Sequence, residues 1–303
     1  MKIRLSIFVV SLLLLPLTGV YLSGGNWSDV APLSISERGD AGIINLPAVL
    51  LTTLMLAGYI VLINHLNKIL TGNKIFATQQ HFFIWMSGAS VVLVWLVCYL
   101  NLFVGSWINQ TENPILQALL YSPLFALLVP AVLCTRALIA ALPGLLKRLS
   151  NRLFFTPPAA STLATIFIAL AIVGLLGGAL WTTQLLSLFW CAPLLLLMGL
   201  QCLWHESTFF SGLKTGDNGR IICSALAGLL VGNFVLFAYQ NNGGLLSINI
   251  NQFFLQTGLV IFAWTGMQLG DVVAENFRGK PRTELFKAKK KFPIPVVVKI
   301  NRS

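Results

Sequence analysis

Charge is scarce in this chain. Of its 303 residues only 10% are Asp, Glu, Lys or Arg, against about 25% in an average soluble domain. Hydrophobic residues make up 56% and the mean hydropathy is +0.82. A soluble globular domain and a disordered chain are both excluded by that balance. No charged residue falls in the middle of an apolar stretch, where ion-coupled pumps and transporters commonly place the groups that mark their ion path. The cysteines are few and form no C-x-x-C: Cys98, Cys134, Cys191, Cys202 and Cys223 all fall in or at the ends of apolar segments. A disulfide scaffold is therefore excluded, and small packing residues are expected at these positions rather than a thiol relay. Walker-type, G-x-S-x-G, H-E-x-x-H and D-x-x-x-D patterns are missing as well.

What the chain has in abundance is uncharged length. A bilayer core of roughly 30 Å needs about 20 mostly apolar residues per helix. Charge-free runs cover Leu5–Ser28, Ala41–Asn67, Ile75–Thr111, Asn113–Cys134, Leu153–His205 and Ile221–Gly270. The last two are long enough for a helix pair each. One divides at Trp181-Thr182-Thr183-Gln184 and the other at Gln240-Asn241-Asn242-Gly243-Gly244, where turn residues are dense. The expectation is an all-α integral membrane protein of eight transmembrane helices, over 4–23, 44–67, 81–106, 115–135, 158–180, 184–204, 221–239 and 252–270. Unbroken runs such as Leu194-Leu195-Leu196-Leu197 oppose a transmembrane barrel, whose strands alternate. The first segment follows Lys2 and Arg4, but no small-residue cleavage site succeeds it, so it is read as an uncleaved helix.

Lys and Arg set the orientation. With eight helices, every basic residue but Arg38 falls on one face, and basic segments resist translocation. Both termini are thus expected in the cytoplasm, in the cell's inner (plasma) membrane. The net charge of +11 is accounted for by that retention. A nucleic-acid partner is not expected, because no basic segment is long enough for a domain. The chain divides into a membrane domain, 1–275, and a basic cytoplasmic tail, 276–303. Arg136 to Phe155 reads as an amphipathic helix on the cytoplasmic surface, with leucines on one arc and Lys147, Arg148 and Arg152 on another. Together with Lys287, Lys289, Lys290 and Lys291 of the tail, these cations suit anionic headgroups.

A displacement of 140 residues sets His65 on His205, and Gly88, Val91, Leu96, Tyr99 and Asn101 on Gly228, Val231, Leu236, Tyr239 and Asn241. A parallel repeat of four plus four helices would produce such matches. The fourth and eighth helices show none, and the first and fifth are out of register.

Two functional classes follow. The first is non-enzymatic: a membrane-assembly subunit with a membrane-protein partner, or a permease or binding protein for an apolar or neutral molecule. Its candidate ligand contacts are the uncharged amides Asn101, Asn233, Gln256 and Gln268, beside Gln117 and Gln201. The second is an interfacial enzyme acting on a lipid-linked substrate. Its candidates are His65, His81, His205 and Glu206, which the topology brings to one depth at the cytoplasmic boundary; imidazole there suits proton transfer or a metal. No metal site is expected from the spacing, and no cofactor is indicated. The first class takes precedence because it uses what the chain has: uncharged helices and short loops.

Overall fold

The computed structural model describes residues 38–72, 79–109, 114–142, 160–204, 208 and 218–277, with the backbone alone at a few helix and strand ends. Nearly all of them are helical. The helices are α1 (Arg38–Thr71), α2 (Gln80–Val104), α3 (Pro114–Ala140), α4 (Ala160–Leu180), α5 (Thr182–Leu203), α6 (Gly219–Asn241) and α7 (Gln252–Phe277). Among the described residues these seven are long and apolar enough to cross a membrane, compatible with an all-α membrane protein. They coincide with the second to eighth expected helices. The first, at 4–23, lies outside the described residues, as do 143–155 with Lys147, Arg148 and Arg152, and the tail with Lys287 to Lys291.

Helix ends fall where the chain can turn. Gly72 and Gly105 close α1 and α2 at φ +80° and +61° and return their N–H groups to Lys68 and Asn101 carbonyls at 2.8 and 2.7 Å. Only glycine takes such backbone without strain. Trp181 alone separates α4 from α5, and Gly243, at φ +83°, follows α6.

Two short strands, β1 (Trp107–Asn109) and β2 (Leu246–Ile248), were not expected from sequence. They pair antiparallel, Trp107 opposite Ile248 and Ile108 opposite Ser247, and tie the α2–α3 connection to the α6–α7 connection. Three residues are too few to show a period of two, so no alternation betrayed them.

Lipid tails are as apolar as leucine, so close packing and polar contacts hold such helices together. The α4–α5 hairpin packs through glycines. A Cβ on Gly174 would stand 2.7 Å from the Leu188 carbonyl oxygen, and one on Gly178 2.5 Å from Phe189. In α6, Gly228 and Gly232 admit Leu259 and Ala263 of α7 in the same way. Around α3 the helices gather: α1, α2, α6 and α7 all pack on it, α7 also packs on α2, α5 and α6, and α1 on α6. Inside α3, Pro123 and Pro130 interrupt the backbone ladder. The Ser90 hydroxyl of α2 enters that ladder, accepting from Val129 N–H at 3.1 Å and donating to the Phe125 carbonyl at 2.5 Å, so a side chain restores what the helix gives up.

The surface helix expected from Arg136 is corrected in its first turns. Arg136 to Ala140 continue α3, and Leu138 and Leu142 are buried with Ile60, Ile63 and Leu66 of α1 rather than spread on a membrane surface. Packing against the extended end of α1 carries α3 past its expected limit at residue 135.

Candidate functional site

The amides nominated from sequence are mostly occupied by the protein itself. Asn101 is buried near the end of α2. Its amide donates to the Trp107 carbonyl at 2.7 Å, and its oxygen accepts from Trp107 N–H at 3.2 Å, which anchors β1. Asn233 of α6 and Gln256 of α7 exchange reciprocal hydrogen bonds of 2.8 and 2.9 Å, and Asn233 also donates to the Leu229 carbonyl. These three side chains fix loops and helices. Gln268 differs. It is fully buried, and neither its amide nitrogen nor its oxygen has a partner. The fully buried Gln201 of α5 donates to the Gln268 backbone carbonyl at 3.4 Å, leaving its own oxygen unmatched. The Gln117 side chain lies outside the described residues.

Of the interfacial candidates, His65 on α1 and His81 on α2 are exposed, on helices that each pack against α3. His205 and Glu206 lie outside the described residues. Among the described residues no three His, Cys, Asp or Glu side chains gather as a metal-binding set. At the same end of the bundle Arg220, at the start of α6, forms an ion pair with Asp271 of α7. Both are partly buried, and Ser224 and Trp264 seal the junction through bonds to the Arg220 and Ile221 carbonyls at 2.6 and 3.2 Å. Opposite charges at two helix ends on one face were visible in the sequence; their contact depends on α6 lying beside α7.

Sequence reasoning missed a cleft between α2, α5 and α7, toward the end of the bundle that carries the β1–β2 pair. Leu93 and Val97 form one wall, Trp190 and Pro193 the second, and Gly258, Ile261, Phe262 and Thr265 the third, around a cavity of about 50 Å³. Pro193 stands inside α5; it has no N–H to give and its ring crowds the preceding turn, which keeps that wall from closing. The Trp107 ring stacks on Trp190 at 5.3 Å, connecting the cleft to β1. The Trp190 indole N–H is buried and has no hydrogen-bond partner. The Thr265 hydroxyl is committed to the Ile261 carbonyl at 2.8 Å. An apolar recess remains, and the Trp190 N–H beside it is enclosed by protein. Single aromatics in a leucine-rich helix give no sequence signal for such a place, because it is made by three helices distant in the chain.

The described chain thus combines seven apolar helices compatible with a multi-pass membrane protein and an uncharged cleft within them. No protein-family model, characterised protein or solved structure matches it at a significant level.

Proposed function

We propose that the protein is a permease or binding protein for an apolar or neutral molecule, built as two four-helix halves in the inner (plasma) membrane with both termini in the cytoplasm. One observation carries this reading: among the described helices that have a described counterpart, the contacts are kept when the halves exchange places. Give α1, α2 and α3 the counterparts α5, α6 and α7. Then α1 on α3 corresponds to α5 on α7, α2 on α3 to α6 on α7, α3 on α6 to α7 on α2, and α1 on α6 to α5 on α2; each of these pairs is in contact. The strands obey the same exchange. The 140-residue displacement carries Trp107 to Ser247 and Ile108 to Ile248, so it converts these two cross-strand pairs into each other, while the third, Asn109 with Leu246, maps just outside the strands. Parallel repeats of this kind are a transporter architecture, with substrate held where the halves meet.

The chemistry of the interior supports a neutral cargo. The described ion pair lies at the bundle end, and the groups within are amides, hydroxyls and indoles. Net-charged cargo would require compensating charge in hydrocarbon, at several kcal/mol per ion.

Purification in mild detergent followed by reconstitution tests the proposal. The expected result is a species containing this chain alone, whose proteoliposomes translocate fluorescent phosphatidylcholine or pass glycerol faster than protein-free vesicles. A stoichiometric membrane partner with neither flux would replace the permease by an assembly subunit. Activity lost in His65→Ala or His81→Ala at normal abundance would favour the interfacial enzyme.

A further inference from the structure

We infer that the bare side of α1 is the docking surface for another part of this same chain, the apolar segment at 4–23, which covers α1 as α4 covers α5. The inference rests on the exchange of halves and not on the cargo.

A helix advances about 100° per residue, so the position two residues before a packed one looks away from it. On α5, Leu194 is buried with Met267 of α7, and Gln201 donates to the Gln268 carbonyl. Two positions before each of them stand Ala192 and Gly199, and both meet α4. A Cβ on Gly174 would lie 3.2 Å from that of Ala192, and one on Gly199 2.6 Å from Ile168. Thus α5 is packed on two opposite sides. On α1, at the same spacing, Leu56 and Ile63 are buried in the core shared with α3 and α6. Two positions before each of them stand Leu54 and Val61, both 68% exposed. The exposed Leu50, Leu51 and Leu62 flank them. Gly58 lies among them, and a Cβ built there meets nothing within 4 Å. The side that α5 gives to α4 is therefore bare on α1. This correspondence is one of packing, and it differs by two residues from the 140-residue displacement.

The chain before α1 suits that side. Both α1 and α5 start at the end of the bundle that carries the strands: Ala48 and Val49 are buried with Tyr239 beside Leu246 of β2, and Trp190 stacks on Trp107 of β1. Leu5–Ser28 carries no charge, enough for one crossing of about 20 residues. A crossing that feeds α1 from the other face runs antiparallel to it, as α4 does to α5, and consecutive elements are usually neighbours in space. An open glycine among leucines admits a close helix, as Gly199 admits Ile168. Because α4 also touches α2 of the other half, the segment at 4–23 in the corresponding place touches α6.

The test uses the full chain in native membranes, with its five cysteines replaced by alanine. Leu54→Cys and Val61→Cys are each combined with single cysteines scanned through Phe8 to Gly19, and disulfides are formed with copper phenanthroline. Disulfides are expected within the monomer band, recurring at spacings of three or four along the segment. The partners of Leu54→Cys should lie later in the segment than those of Val61→Cys, as an antiparallel pair requires. Val92→Cys, at a position 70% exposed on α2, should give none. A spin label at Leu54→Cys should lose accessibility to oxygen relative to one at Val92→Cys. Absence of any disulfide in the monomer band overturns the inference. Disulfides confined to a dimer band would give the surface to a second copy, and equal oxygen accessibility at the two positions would give it to lipid; either overturns it as well. Vesicle flux by a chain that forms no such disulfide would refute the docking and leave the permease reading standing. Disulfides in a chain without flux would do the reverse.

Discussion

Tyr121 of α3 and Tyr239 of α6 meet hydroxyl to hydroxyl at 2.8 Å, both rings buried. Their partners Ala48 and Val49 belong to α1, so three helices converge on a bond between residues 118 positions apart. A polar contact in apolar surroundings couples its members, because either hydroxyl alone loses this partner without regaining water. Tyr121→Phe and Tyr239→Phe should each lower the melting temperature in detergent. The double variant should lose less than the two single losses together, with a coupling of about 1 kcal/mol. Strict additivity in the thermal shifts would show that the bond contributes nothing.

Gly88 and Gly228 occupy equivalent positions under the 140-residue displacement, yet their surroundings differ. A Cβ on Gly228 would stand 2.4 Å from that of Ala263 and 2.7 Å from the Leu259 carbonyl oxygen, whereas one on Gly88 meets nothing within 4 Å. Gly228→Ala must push α6 from α7, and overpacking of this kind costs about 1–3 kcal/mol. Gly88→Ala should be neutral or slightly stabilising. Thermal denaturation of the two variants in the same detergent compares them directly. Equal losses would contradict the close approach of α6 to α7.

The membrane segments were legible because hydrocarbon imposes a simple demand: about 20 uncharged residues for each crossing. The breaks at Trp181 and Gly243 were legible for an equally local reason, the turn chemistry around them. Sites were less legible. Asn233 and Gln256 look like ligand contacts in a list of polar residues, and only the packing of α6 on α7 reveals that they satisfy each other. Trp190 looks like one more aromatic until its N–H is found without an acceptor. Whether a polar group is spent or available depends on its neighbours across helices, and a single sequence carries no record of those neighbours. The end of α3 was misjudged for the same reason: Leu138 and Leu142 have the spacing of a surface helix, and their burial follows from the position of α1.

The reciprocal amides of Asn233 and Gln256 predict a variant that separates stability from transport. Asn233→Leu removes both bonds to Gln256 and leaves that amide facing apolar groups. Interhelical bonds of this kind average about 0.6 kcal/mol in membranes and reach about 1.7, so a modest fall in melting temperature is expected. Flux of neutral solute through proteoliposomes should persist, since the two amides are spent on each other. Lost flux at intact thermal stability would show that the amide pair contributes to the passage.

Ser247 in β2 and the exposed Gln79 before α2 lie at opposite ends of the bundle, which makes them markers for the proposed orientation. In a chain whose five cysteines are replaced by alanine, Ser247→Cys should react with a membrane-impermeant maleimide added to intact cells. Gln79→Cys should react only after the membrane is opened. The charge distribution dictates the sign: Lys68 and Lys74 precede Gln79, whereas the segment between α6 and α7 has no basic residue, and cationic segments stay in the cytoplasm. Labelling of both positions from outside would mean that α2 does not cross the bilayer. Labelling of Gln79→Cys alone would invert the protein and place the β1–β2 pair, with the Trp190 cleft beneath it, at the cytoplasmic surface.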